Sequence, residues 1–149
     1  MGKFFGSRRL RYVLPLLVVG GAIVVMGAQC QPTKPPAPTG LSISPTTKDF
    51  MAVPTGDSSP SQTFTVTNNG PDKSGTLTVD FETGNTNQFA ISNDNCSGKQ
   101  IDAGTTCTVD AALQPTTADS LTTNLVVKSD VAADGTATAT LSGIGFNAP

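Results

Sequence analysis

Thr63-Phe64-Thr65-Val66-Thr67 and Thr76-Leu77-Thr78-Val79-Asp80-Phe81 decide the fold class, because each alternates polar and apolar residues one for one. In an extended chain successive side chains point to opposite faces, so both stretches read as half-buried strands. Working outward, further runs rich in β-branched residues lie at Leu41 to Ser44, Phe89 to Ser92, Thr105 to Leu113, Leu121 to Ser129 and Thr136 to Ser142. Asn68-Asn69-Gly70-Pro71 and Ala132-Ala133-Asp134-Gly135 punctuate them with residues that suit tight turns. From Gly40 onward no helical period occurs. About seven short strands at this spacing predict an all-β fold, a single immunoglobulin-like β-sandwich. Its expected core draws on Phe64, Val66, Leu77, Val79, Phe81, Phe89, Ile91, Val109, Leu113, Leu125, Val127 and Leu141.

Two cysteines fall inside this pattern. Cys107 is in phase with Val109, Ala111 and Leu113, which predicts a sulfur on the buried face. Cys96 lies in the preceding loop, with ten residues between the two that include Gly98 and Gly104. A loop that short folds back readily, and a bridge across it contributes about 3 kcal/mol. Such a bond persists only outside a reducing cytosol. A redox or metal site competes poorly, since the pair has neither CxxC spacing nor any histidine to join it.

Composition narrows the function. After Cys30 the chain keeps five lysines against eleven acids, a net charge of about −6. That balance argues against nucleic acid and against an anionic membrane surface as partners. Histidine and tryptophan are absent, and the one tyrosine, Tyr12, lies near the N-terminus. The commonest general base, the commonest metal ligand and the rings preferred for stacking on sugars are therefore missing. No cofactor, no metal and no catalytic residue is expected, and the chain reads as a non-enzyme.

The N-terminus has the layout of a secretory signal, assigned to residues 1–29. Lys3, Arg8, Arg9 and Arg11 precede an apolar run from Val13 to Ala28 that Pro15, Gly20 and Gly21 interrupt. The run falls short of the roughly 18 apolar residues a spanning helix needs. Met26-Gly27-Ala28-Gln29-Cys30 resembles a bacterial lipobox, in which the cysteine is diacylated and becomes the new N-terminus. Gln29 departs from that pattern, which usually has a small residue before the cysteine. Residues 30–39, with Gln31-Pro32-Thr33-Lys34-Pro35-Pro36-Ala37-Pro38, form an extended tether, and 40–149 form the folded domain. The expected location is the bacterial cell envelope, with Cys30 lipidated and holding the protein to the outer membrane or cell surface. The alternative is a secreted protein in which Cys30 is a spare thiol.

Four segments in order carry a second resemblance: Phe64 to Gly70, Phe89 to Cys96, Ile101 to Val109, and Ala139-Thr-Leu-Ser-Gly-Ile-Gly145. They look like the bacterial choice-of-anchor D module, related to the abnormal-spindle and hydin type of immunoglobulin-like domain. The resemblance spans roughly Leu41 to Phe146 and implies, by analogy, a disulfide between Cys96 and Cys107. Leu113-Gln114-Pro115 departs from it, because members commonly place phenylalanine two residues before that proline.

Remaining candidates read as structural. Asp80 and Glu82 share the polar face of one predicted strand, but nothing supplies a polarised partner for acid–base work. Asn93-Asp94-Asn95 and Asp102 could offer oxygens to calcium, yet turn chemistry accounts for the same residues. The expected function is protein binding or a structural role in the envelope, with an unidentified envelope or surface protein as partner. The alternative is a secreted or periplasmic carrier or chaperone, which requires an exposed apolar groove.

Overall fold

The computed structural model describes residues 40–149. Eight strands follow one another: β1 (Leu41–Ser44), β2 (Thr47–Pro54), β3 (Gln62–Asn68), β4 (Leu77–Gly84), β5 (Phe89–Ser92), β6 (Thr106–Leu113), β7 (Ser120–Ser129) and β8 (Thr136–Phe146). They form two four-stranded sheets, ordered β1-β3-β6-β5 and β2-β8-β7-β4. The first matches the ABED sheet of an immunoglobulin domain and β8-β7-β4 the GFC sheet. The expected signal peptide, Cys30 and the 30–39 tether lie outside the described residues.

The two alternating stretches behave as expected. Phe64 and Val66 on β3 are fully buried, while Thr63 faces solvent and Thr65 and Thr67 are half-buried. β3 pairs antiparallel with β6, setting Thr65 opposite Thr108 and Val66 opposite Cys107. On β4, Leu77 is fully buried, whereas Val79 and Phe81 are only half-buried against the core. Ile91 is likewise half-buried, so these three sit at the rim of the core rather than within it. Phe89 links that rim to the interior, with its ring centroid 6.0 Å from Phe81 and 6.2 Å from Phe50. Tilted pairs at such distances suit the quadrupoles of the rings.

The sandwich of about seven strands is found with eight, and the one the sequence reading did not single out is β2, which has no alternating signature. Met51 adopts φ 62°, and the pairing with β8 shifts register between Asp49 and Ala52. This bulge inserts an extra residue, so the buried Phe50 and Val53 lie three apart instead of two. β2 runs parallel to β8, joining the opposite sheet from β1 although only Pro45 and Thr46 separate the two strands. β8 also extends beyond the expected Ser142 to Phe146. Its last inward positions are Gly143 and Gly145, where a Cβ would strike the Leu113 side chain and the Thr117 carbonyl respectively. The Leu113 side chain fills the space inside Gly143, and the connection between β6 and β7 lies against Gly145.

Polar side chains satisfy the chain where it turns. Asn68 is buried; its Nδ2 donates to the Asp72 carbonyl at 2.8 Å and the Ile101 carbonyl at 3.1 Å, and its Oδ1 accepts from Gly70 N–H at 2.9 Å. Ser74 and Ile101 bond each other twice, Ser74 N–H to the Ile101 carbonyl and Ile101 N–H to Ser74 Oγ, both at 2.9 Å. These bonds bring the loop before β6 to the edge of β4.

Candidate functional site

The loop between β5 and β6 is pinned at its base. Cys96 and Cys107 form a disulfide with Cα atoms 5.3 Å apart, and both residues are buried in the core. Asp94 shapes the turn around Cys96. Its Oδ1 accepts from Cys96 N–H at 2.8 Å and Ser97 N–H at 2.9 Å, and its other oxygen accepts from Ser97 Oγ. Partial burial pushes the Asp94 pKa up, but the bonds from Ser97 and Cys96 and the charge of Lys99 together outweigh it and hold the carboxyl below its usual value.

The pinned loop lies along the outer edge of β4. Leu77 N–H donates to the Lys99 carbonyl and Gly98 N–H donates to the Leu77 carbonyl, both at 2.8 Å. One step further, Val79 N–H donates to Ser97 Oγ at 3.2 Å, and Phe81 N–H donates to Asp80 Oδ1 at 2.8 Å. Beside this edge a groove of about 560 Å³ opens, floored by Val126 and walled by Asp80, Glu82 and the Ser97-Gly98 backbone. Glu82 pairs with Lys128 on β7, so Asp80 keeps the unneutralised carboxylate of that wall.

The structure disperses the remaining oxygen-bearing residues. Asn93 Nδ2 donates to Asp110 Oδ2 at 2.8 Å, while Asp102 pairs with Lys73 at 3.4 Å. Asp94 and Asp102 are thus occupied locally by turn and ion-pair bonds. Among the described residues no group of three or more acidic, cysteine or histidine side chains is placed to hold a metal ion.

A second open surface lies at the end of β8. The outward side chains of β8 run Thr136, Thr138, Thr140 and Ser142, then change to Ile144 and Phe146. Ile144 is 51% exposed, Phe146 38%, and Met51, thrust outward at the β2 bulge, 70%. Met51, Ala52, Leu121 and Ile144 line a shallow groove of about 470 Å³ whose polar rim is Asp49, Thr122 and Ser142. This corner was not legible as a site, because Met51 stands in a bulge and Ile144 follows a glycine. Gly40 lies at the other end of β8. Its backbone abuts the Asp134 carbonyl just before that strand begins, and Asn69 N–H donates to the Gly40 carbonyl at 2.9 Å. Eleven residues of β8 at about 3.3 Å each put roughly 33 Å between the two ends.

Comparison with solved structures gives the class. The secreted serine protease VesC from Vibrio cholerae matches with TM-score 0.51 and 25% identity, over 74% of this chain and 24% of that one. The ASH/PapD-like domain of human CEP192 (PapD-like domain 7) matches with TM-score 0.53 and 15% identity, over 91% of this chain and 100% of that one. The periplasmic chaperone SfaE matches with TM-score 0.45 and 13% identity, over 74% of this chain and 59% of that one. The chain therefore spans about a quarter of the length of VesC. No family profile and no curated protein sequence matches it. The class is an immunoglobulin-like β-sandwich. Among the structures it resembles along their whole length is a PapD-like domain.

Proposed function

We propose that the chain is a non-enzymatic, lipid-anchored protein of the bacterial envelope whose immunoglobulin-like module, of the choice-of-anchor D kind by resemblance, binds another protein. The observation that carries this is the position of the apolar corner. Met51, Ile144 and Phe146 sit at the end of β8 opposite Gly40, where the chain enters the domain. A lipid on Cys30 with an extended proline tether would hold the Gly40 end toward the bilayer and present this corner away from it. The disulfide supports an oxidising compartment. The likeness to VesC brings no protease chemistry with it, because an ordinary serine triad takes a histidine and the sequence has none.

The anchoring is tested in the native host by detergent phase partitioning and intact mass of the mature N-terminus. The expected result is diacylglycerol on Cys30 and a protein that leaves the membrane fraction on Cys30→Ser. An unlipidated N-terminus downstream of Cys30 overturns the anchor.

The groove beside Met51 and Ile144 favours a second reading, a carrier for a short apolar segment of a client. Suppression of client aggregation, lost on Met51→Ser with Ile144→Ser, would distinguish a carrier from a stable protein contact.

A further inference from the structure

We infer that the outer edge of β4, from Val79 to Glu82, is a strand-addition site for an extended, basic segment of a partner protein. This rests on the reading that the module binds protein. Of the four edge strands among the described residues, β1 and β5 have four residues each, and the bulge at Met51 breaks the ladder of β2. Only β4 offers a longer run in unbroken register with its neighbour, Leu77 to Glu82 opposite Ser129 to Asn124 of β7.

The molecule already shows the mode of binding on this edge. The disulfide-pinned loop exchanges two backbone hydrogen bonds with Leu77, as an added strand would. Alternation directs the N–H and C=O of Val79 and Phe81 the same way, away from β7. There the donors are held only by the side chains of Ser97 and Asp80, both on exposed residues. An incoming strand replaces two side-chain acceptors with its own carbonyls and supplies donors to the carbonyls of Val79 and Phe81.

Charge selects the segment. Among the described residues four lysines face eleven acids, and Asp80 and Glu82 stand on the outward face of this edge. Asp80, unneutralised beside the Glu82–Lys128 pair, repels an acidic strand and favours one that places Lys or Arg opposite it. The groove beside the edge suits such a side chain, with Val126 beneath its aliphatic stem and Asp80 at its charged head.

The test uses the full chain in detergent and two synthetic probes, short peptides alternating lysine with valine or glutamate with valine. NMR-detected hydrogen exchange is followed at every edge strand. The lysine peptide should slow exchange at Val79 and Phe81 about tenfold and leave β1, β2 and β5 unchanged. Asp80→Asn, which leaves the Glu82–Lys128 pair in place, should weaken that binding about threefold. Asp80→Lys with Glu82→Lys should transfer the preference to the glutamate peptide. Protection at another edge, protection nowhere, or an unchanged preference in the reversed variant overturns the inference. A partner that docks on the Met51–Ile144 corner while β4 stays unprotected overturns it too, yet leaves the protein-binding reading standing.

Discussion

Gln88 and Thr116 hold each other through three hydrogen bonds at the end of the β5–β6 ladder. Gln88 Nε2 donates to Thr116 Oγ1 at 2.8 Å, Thr116 N–H donates to Gln88 Oε1 at 2.6 Å, and Thr116 Oγ1 donates to the same oxygen at 3.1 Å. The Gln88 carbonyl in turn accepts from Gln114 N–H at 2.7 Å. The turn before β5 is thereby fastened to the turn after β6, and the amide of Gln88 is buried at 4% exposure without being left unpaired.

Truncating that amide should therefore be costly. Gln88→Ala is expected to destabilise by about 1–3 kcal/mol in urea unfolding, since the bonds of a buried polar side chain are lost and a gap remains. Thr116→Ala keeps its backbone bond to Gln88 and should cost about half as much. Equal losses in the two variants would contradict this division.

Gly145 tests how closely the connection between β6 and β7 lies against β8. A methyl group there would overlap the Thr117 carbonyl oxygen and crowd Pro115. Gly145→Ala is expected to lower stability by about 1–3 kcal/mol, the usual range for overpacking a site that backbone encloses. Gly98→Ala, where a Cβ meets open space, has only its φ of 74° to strain it and should cost about 1 kcal/mol. Thermal midpoints of the two variants read the difference.

How much was legible in the sequence follows from the same glycines. The β3 and β4 stretches showed their alternation because inward positions carry Phe, Val and Leu. The end of β8 hid it, because the inward positions are Gly143 and Gly145 and nothing marks them as buried. β2 hid it differently, by a bulge that places Phe50 and Val53 out of phase. The cysteine pair was legible from strand phase and loop length. That its loop docks on the β4 edge was not, since Leu77 and Lys99 meet only through tertiary structure.

The disulfide should account for a sizeable share of stability. A bridge with sequence separation 11 restricts the unfolded chain by about 3 kcal/mol in the loop-entropy account. Cys96→Ser with Cys107→Ser should lose about that much and also raise amide exchange at Leu77 and Gly98, which the pinned loop covers. Unchanged exchange there would show that the loop holds to β4 without its bridge.

Acid should weaken the fold through three carboxylates. The Ser129 hydroxyl and Gly75 N–H both donate to Asp134 and hold its pKa below the usual carboxylate value; Asp110, bonded by the Asn93 and Thr63 side chains, and Asp94 are also lowered. A depressed folded-state pKa gives stability that is present above the unfolded value of about 3.9 and is lost as pH falls through the folded one. Urea midpoints should therefore drop below about pH 4, and Asp134→Asn should flatten that acid limb while lowering the plateau above it. A variant with the wild-type acid slope would remove Asp134 from the account.

The split of the first two strands between sheets has a mechanical consequence. β1 and β2, two residues apart in the chain, are hydrogen-bonded to β3 and β8 on opposite sides of the core. A force drawn along the strand axis at Gly40 shears the whole β1–β3 ladder together instead of unzipping it bond by bond. If β1 yields, the load passes across Pro45 and Thr46 to the parallel β2–β8 ladder in the other sheet, again in shear. A domain held by a leash at that end is thus clamped twice before its core is strained.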